Sequence, residues 1–126
     1  MSNYKIESLT KILNSTLITD IYPMVKKIQV DKLEEDELSS YMHLTILVDN
    51  DITHDNMYEK EFDPHYMVEY HVKNLLPYVS VNTNYIGWDV YTTDGKYVSG
   101  YDLVGGSVFN PRDRYYKPDE DGNKSY

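Results

Sequence analysis

The chain has 126 residues, no cysteine and a formal net charge of −9. That length fits one domain with its own core, and the missing thiols exclude disulfides, thiolate nucleophiles and cysteine-based zinc sites. No stretch of about 18 apolar residues offers a membrane span, and Met1–Glu7 lacks the basic-then-apolar layout of a secretory leader. The expectation is a protein of the cytoplasm (the host cytoplasm or a virion, if the source is viral) with no membrane contact.

The acidity is concentrated. Between Asp31 and Glu69 stand twelve acids and two bases, Lys32 and Lys60, a local balance of −10, while the remainder is near neutral. Such a surface repels phosphate backbones, so direct nucleic-acid binding is not expected. The run Glu34, Glu35, Asp36, Glu37 reads as a solvated patch that keeps the chain soluble, or as a mimic of nucleic-acid charge aimed at a basic partner. Fourteen tyrosines against one Trp and two Phe favour contact surfaces, because tyrosine buries a ring and keeps its hydroxyl wet.

Ile6, Leu9, Ile12, Leu13 and Leu17 recur at helical spacing and predict an amphipathic helix from Tyr4 to about Thr16, extending as far as Thr19 at most. Pro23 bars its continuation. Val25–Leu33 reads as a strand, and Glu34–Glu37 as a loop, since adjacent acids repel. Tyr41–Asp49 alternates cleanly: Met42, Leu44, Ile46 and Val48 are expected in the core. The two strands are expected to form an antiparallel hairpin. Asn50–Phe62 is polar and irregular. Asp63-Pro64 is a helix start, with an N-cap acceptor before a proline at the first helical position. Met67, Val68, His71, Val72, Leu75 and Leu76 give that helix one apolar face, and Pro77 ends it near Leu76. Tyr78–Asn82 reads as a short strand.

Asp94-Gly95 between two β-prone runs, Ile86 onward and up to Asp102, predicts a hairpin. A two-residue loop puts Val90 opposite Ser99. A type I turn with Gly95 in a bulge puts Val90 opposite Val98 and Tyr91 opposite Tyr97. The second register is preferred, because it aligns apolar residues with Trp88. The order α-β-β-α-β-β-β then implies an α+β domain over residues 1–103, with two helices on one face of a mostly antiparallel sheet. Residues 104–126 hold Gly105-Gly106, Pro111, Pro118 and Asp119-Glu120-Asp121, a composition that does not build its own core. They read as an extended arm that docks on another molecule, folds back on its own domain, or stays loose. The arm carries both arginines, Arg112 and Arg114, beside Phe109, Tyr115 and Tyr116, types enriched at interface hot spots.

Chemistry is sparse. His65 and Glu69 share a helix face, but His71 points elsewhere, onto the apolar stripe, and a third ligand is left to His54, Asp55 or Asp63. Asp49-Asn50-Asp51-Ile52-Thr53-His54-Asp55 resembles a divalent-ion loop without the glycine and terminal glutamate of an EF-hand. Asp119-Glu120-Asp121-Gly122-Asn123 opens like a calcium loop but reads better as a solvated turn. Gly105-Gly106-Ser107 is not a nucleophile elbow, and no phosphate loop is present. No catalytic residue, metal or cofactor is assigned.

A helix, two strands and a helix resemble the arrangement of KH type II domains, but no Gly-x-x-Gly clamp accompanies it, so RNA binding is not carried over. Helix, hairpin, helix, hairpin and arm look like small phage connector and tail-completion subunits. That resemblance covers element order and size, and it implies ring-forming oligomers that dock through arms. The resulting expectation is a non-catalytic assembly subunit that contacts its own copies or another protein through Tyr91, Tyr97, Tyr101, Phe109, Arg112, Arg114, Tyr115 and Tyr116. The alternatives are an acidic inhibitor of a nucleic-acid-binding protein and a small metal-dependent hydrolase using Asp49, Asp51 and His54.

Overall fold

The computed structural model describes residues 2–35, 40–107 and 110–126. The N-terminal stripe folds as helix α1 (Ser2–Leu13), which buries Leu9 and Leu13 completely, each contributing about 2 kcal/mol. The helix breaks before Leu17. The Asn14 amide bridges the end of α1 to strand β1 (Val25–Glu35), donating to the Thr10 carbonyl at 2.7 Å and the Ile28 carbonyl at 2.8 Å and accepting from the Ile28 N–H at 2.8 Å. Ser15 then caps a short helix, α2 (Thr16–Thr19), and Leu17 is left exposed. One side chain thereby blunts part of a sheet edge.

β1 pairs antiparallel with β2 (Ser40–Val48), so the expected hairpin forms; β1 runs on through Glu34 and Glu35, which sit in the ladder rather than in a loop. Met42, Leu44, Ile46 and Val48 are all buried, as their alternation requires. The connection from β2 is irregular but anchored by Ile52, Met57 and Phe62 in the core. Asp63 caps helix α3 (Pro64–Met67), its carboxylate accepting from the Tyr66 N–H. The helix continues through a π turn (Val68–Val72), helix α4 (Lys73–Leu75) and a 3₁₀ turn (Leu76–Val79). The strand expected at Tyr78–Asn82 is not there. Pro77 opens the 3₁₀ turn, where its missing N–H costs nothing, and Ser80 in the left-handed region closes it.

Strand β3 (Tyr85–Thr92) returns parallel to β2, and β4 (Tyr97–Ser107), β5 (Asn110–Pro118) and β6 (Lys124–Ser125) follow antiparallel, giving the sheet order β1-β2-β3-β4-β5-β6. The described part of 104–126 is therefore mostly sheet, and a boundary at residue 103 falls inside β4. The β3–β4 turn has Gly95 at φ 93, where glycine is favoured. Its register combines both expectations: Tyr91 faces Tyr97, a shift follows, and Val90 faces Ser99. The extra residue, Val98, is buried in the core. The fold is α+β. Both helical segments bury against one sheet face in a single core that includes Ile28, Met42, Trp88 and Val90. Among the described residues no helix covers the other sheet face.

Candidate interaction surfaces

On that open face the sheet carries an interlocked set of charges. Asp89 sits mid-strand in β3, 8% exposed. Its carboxylate accepts from the Tyr97 hydroxyl at 2.6 Å, from His43 Nε2 at 3.0 Å and from Lys124 Nζ at 3.0 Å. The other nitrogen of His43 donates to Asp31 at 2.8 Å, and Asp31 also accepts from Thr45 at 2.6 Å. The bulge between Val30 and Lys32 turns Asp31 towards these partners. Two glycines make room. A Cβ at Gly100 would collide with the Tyr97 hydroxyl and the Asp89 carboxylate; one at Gly87 would lie 2.7 Å from Asp102 Oδ1 and 2.9 Å from the Tyr41 hydroxyl. Tyr41 donates to Asp102 at 2.9 Å.

The electrostatics follow. Burial alone raises the Asp89 pKa, but hydrogen bonds from His43, Tyr97 and Lys124 outweigh it and pull it down to about 2. Burial alone lowers the His43 pKa, and the bonds to Asp89 and Asp31 outweigh that and raise it. With a carboxylate on each ring nitrogen, His43 in its protonated form donates to both. When His43 is protonated, Asp31, His43, Asp89 and Lys124 form a chain of alternating charge. Burial, with the hydrogen bond to Asp89, pushes the Tyr97 hydroxyl far above its ordinary value. These groups satisfy each other: neither ring nitrogen of His43 is left for a substrate.

The residues singled out from sequence are dispersed. Tyr97 is 3% exposed and locked onto Asp89, so it has no ring to offer a partner. Tyr91 lies on the open face, packed edge-on against Tyr97, and Tyr101 faces the helices beside Trp88. Arg114 stacks over the Tyr126 ring at 4.1 Å, and Lys124 over Tyr116 at 4.1 Å, so the chain's C-terminal segment folds back on its own sheet. Arg112 and Tyr115 remain exposed. Phe109, Asp36 and Glu37 lie outside the described residues. Glu35 pairs with Lys5 at 2.9 Å, and its carboxyl is held low by that hydrogen bond. Glu34 pairs with Lys32. Asp49 pairs with Lys26, Asp51 with Lys60, and His54 meets the Val98 carbonyl at 3.0 Å. His65 contacts tyrosine rings, Glu69 pairs with Lys73, and His71 is half-buried against Tyr22. Among the described residues no group of three or more His, Asp or Glu converges as metal ligands.

The helix side carries a surface that periodicity did not single out. Tyr115 lies against Tyr101 at 5.0 Å, His65 packs on both, and Tyr66 and Tyr70 lie 4.6 Å apart one helical turn on. Tyr58, Tyr66, Tyr70 and Tyr115 are each more than half exposed. Asp63, Glu69 and Asp113 lie among these rings and help raise the Tyr115 hydroxyl, after burial. The available signal was Tyr66 and Tyr70 four apart in a helix whose apolar stripe lies elsewhere.

Comparison of the chain with protein-family models, with curated proteins and with solved structures returns no match.

Proposed function

We propose that the protein is a non-catalytic assembly subunit that binds copies of itself through the β4–β5 ribbon and the aromatic strip beside it. One observation carries this reading. β4 pairs with β3 from Tyr97 to Tyr101, but from Asp102 to Ser107 its strand partner among the described residues is β5 alone, reaching back to Asn110. A two-stranded ribbon is marginal by itself in water, so a second surface against it adds order. Exposed Arg112 stands on that ribbon's outer strand and exposed Tyr115 at its base, opposite Tyr101, and such residues anchor interfaces. The self-satisfied charges around Asp89 support a binding role over an acid–base one. Sedimentation velocity across a concentration series tests the reading. The wild type is expected to form a defined oligomer, and the Arg112→Glu, Tyr115→Ser double variant to shift towards monomer. A strict monomer at high concentration refutes it.

A second reading, an acidic mimic that occupies a basic protein's nucleic-acid cleft, is favoured by the exposed Asp55, Glu59 and Glu61. It predicts competition with DNA for a DNA-binding protein, weakening steeply with salt; salt-insensitive competition rules it out.

A further inference from the structure

A cavity of about 460 Å³ opens between the loop before α3 and the helix that follows, walled by Tyr22, Tyr58, Phe62, Tyr66 and His71. Tyr22 and Phe62 are buried and form its floor, and Tyr58, Tyr66 and His71 rise around it. Tyr22 meets Phe62 at 6.2 Å and 77°, and His71 at 5.3 Å and 79°. Tyr66 and His71 are five residues apart, positions that diverge around a regular α-helix. The π turn at Val68–Val72 widens the helix there, and the two rings lie 5.9 Å apart.

Ile21 and two carboxylates, Glu61 and Asp63, complete the lining, and no lysine or arginine is part of it. Glu61 occupies a position suited to glycine. The turn closes with the Phe62 N–H donating to the Met57 carbonyl and the Glu61 N–H to the Tyr58 carbonyl, leaving Glu61 at φ 60. A side chain is disfavoured at such a cap, yet here it brings a carboxylate to an aromatic cavity.

We propose that this cavity binds a compact organic ammonium cation, a trimethylammonium group above all. Aromatic rings attract cations through their quadrupoles, most strongly where water is excluded. The carboxylates supply the compensating charge. His71 stands at 79° to the Tyr22 floor and Tyr66 is tilted at 53° to His71, so the rings converge from several directions, which suits a rounded tetrahedral cation, whereas a planar guanidinium needs two parallel surfaces. The volume lies within the range of small-molecule sites. A cation would bind here whether or not the chain assembles.

The test is a two-dimensional amide NMR titration of the full chain with choline, with its uncharged carbon isostere 3,3-dimethyl-1-butanol, and with N-acetyl-trimethyllysine methylamide. Saturable shifts are expected at Tyr58, Glu61, Phe62, Tyr66 and His71, with the isostere weaker by roughly tenfold. Tighter binding of the lysine derivative points to a protein side chain as the natural source; tighter binding of choline points to a small molecule. Glu61→Gly suits the turn, so it is expected to fold at least as well while binding choline about threefold more weakly. Tyr66→Leu is expected to weaken binding by about fivefold. Equal binding of choline and the isostere, tighter binding of N-acetyl-arginine methylamide, or shifts confined to other surfaces would overturn the assignment.

Discussion

Replacing Asp89 by Asn keeps the shape of the side chain and removes one buried charge. The carboxylate titrates at about 2 instead of the ordinary 3.8. A shift of that size corresponds to about 2 kcal/mol of stabilisation at neutral pH. Asn also turns an N–H donor towards donors, because His43, Tyr97 and Lys124 all donate to this position. Leaving one of them without an acceptor in a site 8% exposed costs about 1–2 kcal/mol more. The expected loss is about 3–4 kcal/mol, or a fall in Tm of about 10 °C. Urea unfolding at pH 7 measures it, and a histidine NMR titration of the same variant should show the His43 pKa falling once its second carboxylate is gone. A loss under about 0.5 kcal/mol with His43 titrating as in the wild type would refute the reasoning.

Three further outcomes follow from the same geometry. His43 has a folded pKa above its ordinary 6.5, so its contribution is complete below pH 6.5 and is lost as pH rises through the folded value; the urea midpoint should be higher at pH 6 than at pH 8.5, and His43→Gln should remove most of that difference. Gly100→Ala forces a methyl into the Tyr97 hydroxyl and the Asp89 carboxylate, with the Trp88 carbonyl 3.1 Å away; calorimetry should show a loss of about 2–3 kcal/mol. Truncation after residue 103 strips β5 and Lys124 from the sheet; it should abolish cooperative thermal unfolding, and a truncated chain as stable as the full one would contradict the sheet order.

Much of the fold is legible in the sequence because one-sided burial writes a period into the chain. Met42, Leu44, Ile46 and Val48 alternate because one face meets the core, and Asp63-Pro64 marks a helix start because cap chemistry is local. The errors have equally physical causes. The stripe from Ile6 to Leu17 continues past Asn14, but the Asn14 amide does better against the Ile28 backbone than in another helical turn. Tyr78–Asn82 has a strand's residue types, yet Pro77 favours a 3₁₀ turn. Residues 110–118 look unpartnered because of their prolines and charges, whereas in space β4 supplies the cross-strand neighbours of Asn110–Tyr116 and β6 those of Lys117 and Pro118.

The polar site was less legible. Asp31, His43, Asp89 and Lys124 are far apart in the chain, and each alone reads as an ordinary surface residue. The visible hint was a carboxylate in the middle of an apolar strand, Trp88-Asp89-Val90, with glycines at Gly87 and Gly100. A buried acid between glycines implies donors closing in from neighbouring strands. The cavity beside Tyr66 was hidden for another reason: its geometry depends on a π turn, which no residue pattern announced.

Amide hydrogen exchange measured at increasing protein concentration tests assembly through the ribbon most directly. If copies dock there, protection of amides in 102–107 and 112–116 rises with concentration, while the core strand Tyr41–Val48 keeps a constant rate. Exchange in the ribbon that stays fast and independent of concentration, up to the highest the protein tolerates, would contradict it.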